Sequence, residues 1–129
     1  MPEPTAYQKY QEQTVNTATP GMLIIMLFEG AVKNISAAIK AIEEKNIETA
    51  HNSIIKAETI YTSLIGFLNG DAAMSEDLRK IYTFLLERLI EANTKKDASI
   101  LKEVLEFSLE FRYTWRQAEK NLHIQRNKA

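Results

Sequence analysis

Apolar residues recur along this chain at the three-and-four spacing of a helix, and from residue 19 onward the recurrence breaks in only three places. Thr19-Pro20 opens the first helix: threonine suits the N-cap, and proline suits the first helical position, where its missing N–H costs nothing. The helix is predicted to run to about Lys45, with Ala31, Val32, Ile35, Ala38, Ile39 and Ile42 as its inner stripe. Asn46 is the expected cap of a second helix over about 47–68. Its stripe is Ile47, Ala50, Ile54, Ala57, Tyr61, Leu64, Ile65 and Leu68, and Asn69-Gly70-Asp71 ends it as a turn. Ser75 is the expected cap of a third helix, with Glu76 and Asp77 in its first turn and Leu78, Ile81, Tyr82, Leu85, Leu89 and Ala92 on its stripe. Asn93-Thr94-Lys95-Lys96 connects to Asp97, the expected cap of the fourth. That helix carries Leu101, Val104, Leu105, Ser108, Phe111, Arg112, Trp115, Ala118 and Leu122.

Three of these helices should be about 20–25 residues long and the third slightly shorter, roughly 30–38 Å at 1.5 Å per residue. Short connections between helices of similar length favour antiparallel neighbours. No segment alternates with period two for long enough to be a strand. The predicted fold is all-α: an antiparallel up-down-up-down four-helix bundle over 19–124, with a cap segment at 1–18 and a C-terminal tail at 125–129. Within the polar 1–18 segment, Tyr7, Tyr10, Thr14 and Val15 fall on one helical face, so a short docked helix is expected there.

Composition narrows the function. The formal charge is −1, without the basic patch that nucleic acid or anionic lipid demands. No cysteine is present, which removes disulfides, thiolate metal sites and thiol nucleophiles. The longest uninterrupted apolar run, Met22 to Phe28, is far shorter than the ~20 residues of a membrane span. No signal peptide is recognisable, so the expected location is the cytoplasm, without membrane insertion. Helical bundles that hold two metal ions use two Glu-x-x-His pairs. This chain has one, Glu48-Thr49-Ala50-His51, and His123 is its only other histidine. No metal, no cofactor and no catalytic pair are expected. Gly66-x-x-x-Gly70 resembles a membrane dimer motif only by letter, and Asn34-Ile35-Ser36 is a sequon inside a helix.

What stands out is a surplus of apolar residues. A bundle helix needs one stripe, about three positions in seven. On the second helix Ile60 and Phe67 flank the stripe on one side and Ile55 on the other. On the third, Leu86 and Ile90 pair beside the core face, with Phe84 on the opposite flank. On the fourth, Ile100, Phe107 and Phe111 share a flank. Contiguous exposed apolar residues mark a contact surface. Self-association and cover from the N-terminal segment are the other uses of the same flanks.

The order of motifs resembles the bacterial flagellar export chaperones for flagellin, the FliS family. The resemblance begins at Tyr7-Gln8-Lys9-Tyr10 and continues through Val15-Asn16-Thr17-Ala18-Thr19-Pro20-Gly21 and Leu23-Ile24-Ile25-Met26-Leu27-Phe28-Glu29-Gly30. It runs on through Lys56-Ala57, Ile60, Leu68-Asn69, Tyr82, Arg88-Leu89-Ile90-Glu91-Ala92-Asn93 and Asp97, and ends at Phe111-Arg112-Tyr113-Thr114-Trp115-Arg116-Gln117-Ala118. Phe28 stands where the family usually has tyrosine, and Met22 where a polar residue is common. The resemblance implies a four-helix bundle with an N-terminal cap. It also implies a cytoplasmic, cofactor-free protein that binds the disordered C-terminal region of flagellin. Such a protein prevents premature polymerisation and aids delivery to the flagellar type III export apparatus. Export-gate components and other flagellar regulators are further implied partners.

For client contact the surplus flanks select Ile55, Ile60, Phe67, Phe84, Leu86, Ile90, Ile100 and Phe107. Tyr7, Tyr10 and Val15 are the expected cap, able to cover the same surface when no client is present. Trp115, Tyr82 and Arg88 are expected to be structural, and Arg112 to make a polar tie within the bundle. The competing reading is a homo-oligomeric helical structural or adaptor protein that buries these flanks against itself.

Overall fold

Three of the helices start where the chain supplies a side chain to take up free backbone N–H groups, and two of the turns rest on unusual lysines. The structure, a computed structural model, describes residues 19–68 and 73–128. Helix α1 spans Pro20–Glu43, α2 Ile47–Gly66, α3 Ala73–Lys95 and α4 Ala98–Lys128. The Thr19 hydroxyl accepts from the Met22 N–H at 3.2 Å, and Asn46 Oδ1 accepts from the Thr49 N–H at 3.2 Å. Asp97 Oδ1 accepts from the Ser99 N–H at 2.9 Å and from its hydroxyl at 2.6 Å. At the end of α1 the Asn46 N–H reaches the Ala41 carbonyl and the Lys45 N–H the Ile42 carbonyl, which closes the helix by turning Lys45 left-handed at φ 60°. Lys96 does the same after α3, at φ 51°, with the Asp97 N–H on the Ala92 carbonyl. Glycine is the usual residue at such a position.

The helices pack in a closed ring, α1 against α2, α2 against α3, α3 against α4 and α4 back against α1. Polar ties fix the directions. Thr19 meets Glu119 and Lys102 meets Glu43, so α1 and α4 are antiparallel; His51 meets Asn93, so α2 and α3 are antiparallel. Helix α3 is the least engaged of the four, and its seam with α4 is the most open.

The core is filled by Phe28, Ala31, Ile35 and Ala38 from α1, Ile54, Ala57, Tyr61 and Leu64 from α2, Tyr82, Leu85, Leu89 and Ala92 from α3, and Ile100, Leu101 and Val104 from α4. Alanines on α1 and α2 let those backbones approach closely. At Gly30 a Cβ would lie 3.0 Å from Ile60 Cδ1, so glycine seats α1 against α2 there. One aromatic ring comes from each helix: Phe28 stacks on Phe111 at 5.4 Å, and Tyr61 and Tyr82 meet Phe28 edge-on at 6.2 and 5.9 Å. The fully buried Phe28 brings no hydroxyl that this layer would have to satisfy. Tyr61 and Ser108 share a buried hydrogen bond of 2.7 Å, and Ser108 donates onward to the Val104 carbonyl at 2.9 Å.

Burial pushes both tyrosine hydroxyls above the usual phenol range, which the Ser108 bond at Tyr61 and the Trp115 bond at Tyr82 only partly offset. In the unfolded chain both titrate near pH ~10. The unfolded state therefore loses its protons first, so this stability is complete below about pH 10 and is lost as pH rises towards the folded values. The melting temperature should fall steeply in alkali, and the fall should be shallower in a Tyr61→Phe, Tyr82→Phe double variant. Parallel pH–melting curves for the two proteins would refute the assignment.

Several expectations change. Ser75 is not a cap: α3 already begins at Ala73, so Ser75 lies in its first turn. The expected turn at 69–71 lies outside the described residues. Helix α2 is the shortest at 20 residues and α3 has 23. Helix α4 is 31 residues long and continues to Lys128, past residue 124, where a tail was expected to begin. Leu122, placed on its inner stripe by spacing, is exposed: it lies beyond Glu119, the level at which the described part of α1 begins. Ile47 and Ile81 are likewise exposed. Helix α1 is long and apolar enough, by length and composition alone, to cross a membrane, which the seven-residue run did not suggest. In the fold it lies between α2 and α4 with Phe28, Ala31, Ile35, Ala38 and Ala41 buried.

Candidate functional site

Part of the apolar surface that the core does not consume lies along the flanks of α3. His51 Nδ1 and the Asn93 side chain lie within hydrogen-bond distance, 3.0 Å from the amide nitrogen, and this pair identifies the facing flanks of α2 and α3. Ile55 sits one turn past His51 and is 42% exposed; Ile90 sits one turn before Asn93 and its neighbour Thr94, and is 48% exposed. Leu86, one turn from Ile90, is half-buried and packs on the core. These three form the α2–α3 patch.

On the other side of α3, Arg88 marks the seam with α4: its Nη2 donates to Glu103 Oε2 at 2.9 Å, and its Nη1 pairs with Glu91. Phe84, one turn before Arg88, is 45% exposed, and Ile81, one turn further back, is also exposed. Phe107, one turn past Glu103, is half-buried against the core. The Lys95 ammonium first, and then Arg88, hold the Glu91 carboxyl below the usual carboxylate range. Arg88 is thus the polar tie across α3 and α4. Arg112, for which that role was expected, is half-buried and makes no hydrogen bond or ion pair among the described residues.

The eight selected residues therefore do not form one groove. Ile55, Phe84 and Ile90 are exposed on two sides of α3. Phe67 is exposed at the far end of α2, on the flank that faces α1. Ile60, Leu86 and Phe107 are partly buried and pack against the core. Ile100 is a correction: at 6% exposure it is a core residue, since the flank it shares with Phe107 turns inward where α4 first meets the bundle. Spacing alone missed Ile81, because it assigned that residue to the stripe. Trp115 packs on the core, and its contact with the Tyr82 hydroxyl is structural. Tyr7, Tyr10 and Val15 lie outside the described residues.

Two polar atoms on these flanks are shut off from solvent and lack a hydrogen bond: Glu58 Oε2 and Arg88 Nε. Desolvation raises the Glu58 pKa above the ordinary carboxylate value, offset in part by the charge of His51. Glu48 and His51 are both exposed, and no group of three or more candidate metal ligands occurs among the described residues. The arrangement offers apolar contact with a few fixed polar points.

The chain is similar in sequence to known flagellar proteins. A family model described as flagellar protein FliS matches residues 3–122. The flagellar secretion chaperone FliS of Bacillus subtilis is 39% identical over 112 residues, covering 87% of this chain and 84% of that protein. The flagellar secretion chaperone FliSB of Pseudomonas aeruginosa is 32% identical over 116 residues, 85% of this chain and 92% of its own length. FliS of Vibrio cholerae is 28% identical over 123 residues, 92% and 89% of the two chains. With nearly its whole length matched by the family model, and relatives matched over most of theirs, the chain belongs to the FliS family of flagellar proteins.

Proposed function

We propose that this protein is a flagellar secretion chaperone that holds the disordered C-terminal region of flagellin in the bacterial cytosol. In this reading it prevents premature polymerisation and aids delivery to the type III export apparatus. It is a holding protein, not an enzyme, and uses no cofactor. The observation that carries the reading is the pair of apolar patches along α3, with Ile55, Phe84 and Ile90 each more than two-fifths exposed. An isolated exposed leucine or isoleucine needs no explanation, but rows of them at helical spacing on a four-helix bundle suit an amphipathic helix laid along the seam. A client that is disordered when free is ordered as it binds, at a cost of about 2–5 kcal/mol or more, which keeps it releasable.

Calorimetric titration with the C-terminal segment of flagellin from the source organism tests the reading. Binding near one-to-one with a negative heat-capacity change is expected. Absence of binding, also after removal of residues 1–16, would turn the case to self-association, which sedimentation would then reveal as a stable dimer. The N-terminal segment is a built-in competitor in this scheme, with Tyr7, Tyr10 and Val15 covering the client surface. Deletion of 1–16 should then tighten client binding. Weaker binding after the deletion would make the segment part of the client site.

A further inference from the structure

Glu58 is one of two residues with an unsatisfied buried polar atom among the described residues. The side chain is half-buried; its Oε2 is closed off from solvent and accepts no hydrogen bond among the described residues, while Tyr61 and Ser108 in the core are fully paired. An unpaired buried acceptor is rare in native proteins because it forfeits its hydration without compensation. Arg88 Nε is the other such atom, but both remaining nitrogens of Arg88 are engaged by carboxylates, whereas among the described residues neither carboxylate oxygen of Glu58 is held by an ion pair.

Position gives the anomaly a meaning. Glu58 lies one turn past Ile55 and two turns past His51, on the flank of α2 that faces α3. The antiparallel register is pinned by the His51–Asn93 contact and by the Tyr61–Tyr82 rings, 6.2 Å apart, which places Glu58 opposite Leu85 and Leu86. The register thus puts Glu58 on the same α2–α3 flank as Ile55, Leu86 and Ile90. An apolar side chain there would complete a dry surface; a glutamate interrupts it at one point.

We propose that Glu58 is the selectivity point of the α2–α3 patch, an acceptor that receives an N–H or O–H donor side chain from an amphipathic helical client seated on Ile55, Leu86 and Ile90. This rests on the client-holding reading above and adds what the client must carry: a donor among its apolar positions. A wholly apolar helix would leave the carboxylate buried and unpaired, so the patch discriminates against it. Cationic and neutral donors share this chemistry, and the test separates them.

The full-length protein, Glu58→Met and Glu58→Gln are titrated with a synthetic peptide of the C-terminal region of flagellin from the source organism, and each is melted. Glu58→Met keeps the length and helix preference of the side chain and removes both the charge and the acceptor. It should melt at a higher temperature than the wild type and bind the peptide about tenfold or more weakly, the loss of one hydrogen bond to a charged group. If Glu58→Gln is weakened as well, the donor is a lysine or arginine. If Gln binds like the wild type while Met is weakened, the donor is an amide or hydroxyl. Glu58→Met binding as tightly as the wild type, or melting lower, would overturn the proposal. A wild-type protein that fails to bind the peptide would instead sink the flagellin reading and this inference with it.

Discussion

Phe28→Ala should cost about 3–5 kcal/mol of stability, the range for truncating a fully buried phenylalanine, and lower the melting temperature by roughly 10–20 °C. Phe28, like Tyr82, touches the other three rings of its layer: Phe111 at 5.4 Å, Tyr82 at 5.9 Å and Tyr61 at 6.2 Å. Its removal opens a cavity at the point where all four helices meet, and rigid rings around the hole cannot collapse to fill it. The neighbouring Tyr61 is held in place by Ser108, which further prevents relaxation. Urea and thermal unfolding followed by circular dichroism measure the loss. A cost below about 1 kcal/mol would mean that the layer repacks and that Phe28 is replaceable.

The second large effect is on binding and should leave the fold intact. A Phe84→Asp, Ile90→Asp double variant places a carboxylate on each side of α3, at residues that are 45% and 48% exposed. Half of each side chain already faces water, so the folded state loses little. A bound client would have to desolvate two charges and forfeit about 2–4 kcal/mol of apolar contact, or roughly a hundredfold in affinity. Unchanged helicity with lost titration heat is the expected result; client affinity within a factor of about three of wild type would remove both flanks from the site. Ile60→Asp and Phe107→Asp make a useful contrast. Both side chains pack against the core, and Ile60 closes on Gly30, so these variants should unfold rather than unbind.

Periodicity recovered the four helices because each carries a long stripe, and three of them start at a recognisable cap: Thr19, Asn46 and Asp97 all act as expected. The helix ends were less legible. Lys45 and Lys96 take the left-handed position that glycine would have advertised, so nothing in the residue type marks either turn. The start of α3 was misplaced because Ser75 looks like a cap but falls within the helix. For the surface, the helical wheel identified Ile55, Phe84 and Ile90 but also enrolled Ile100, which is core. A wheel gives the angle of a residue and not the depth of its neighbours. At that angle Ile100, in the first turn of α4, is covered, whereas Phe107, two turns on, is only half-buried. The Arg88 tie was visible only as a motif, and Glu58 not at all, because an unpaired buried oxygen is a property of packing.

The contact between Thr19 and Glu119, 2.7 Å apart, has a mechanical consequence. It brings the entry of α1 and the late turns of α4 to one pole of the bundle. A pulling force applied between these two points acts across the α1–α4 seam rather than along it. The helices then part like a zipper, one turn at a time, instead of sliding with every contact loaded together. Phe28 is nine residues from Thr19, about 13 Å at the rise of a helix, so the opening reaches the aromatic layer early. Heat must disrupt the whole core together, whereas tension at that pole meets only a few contacts at each step.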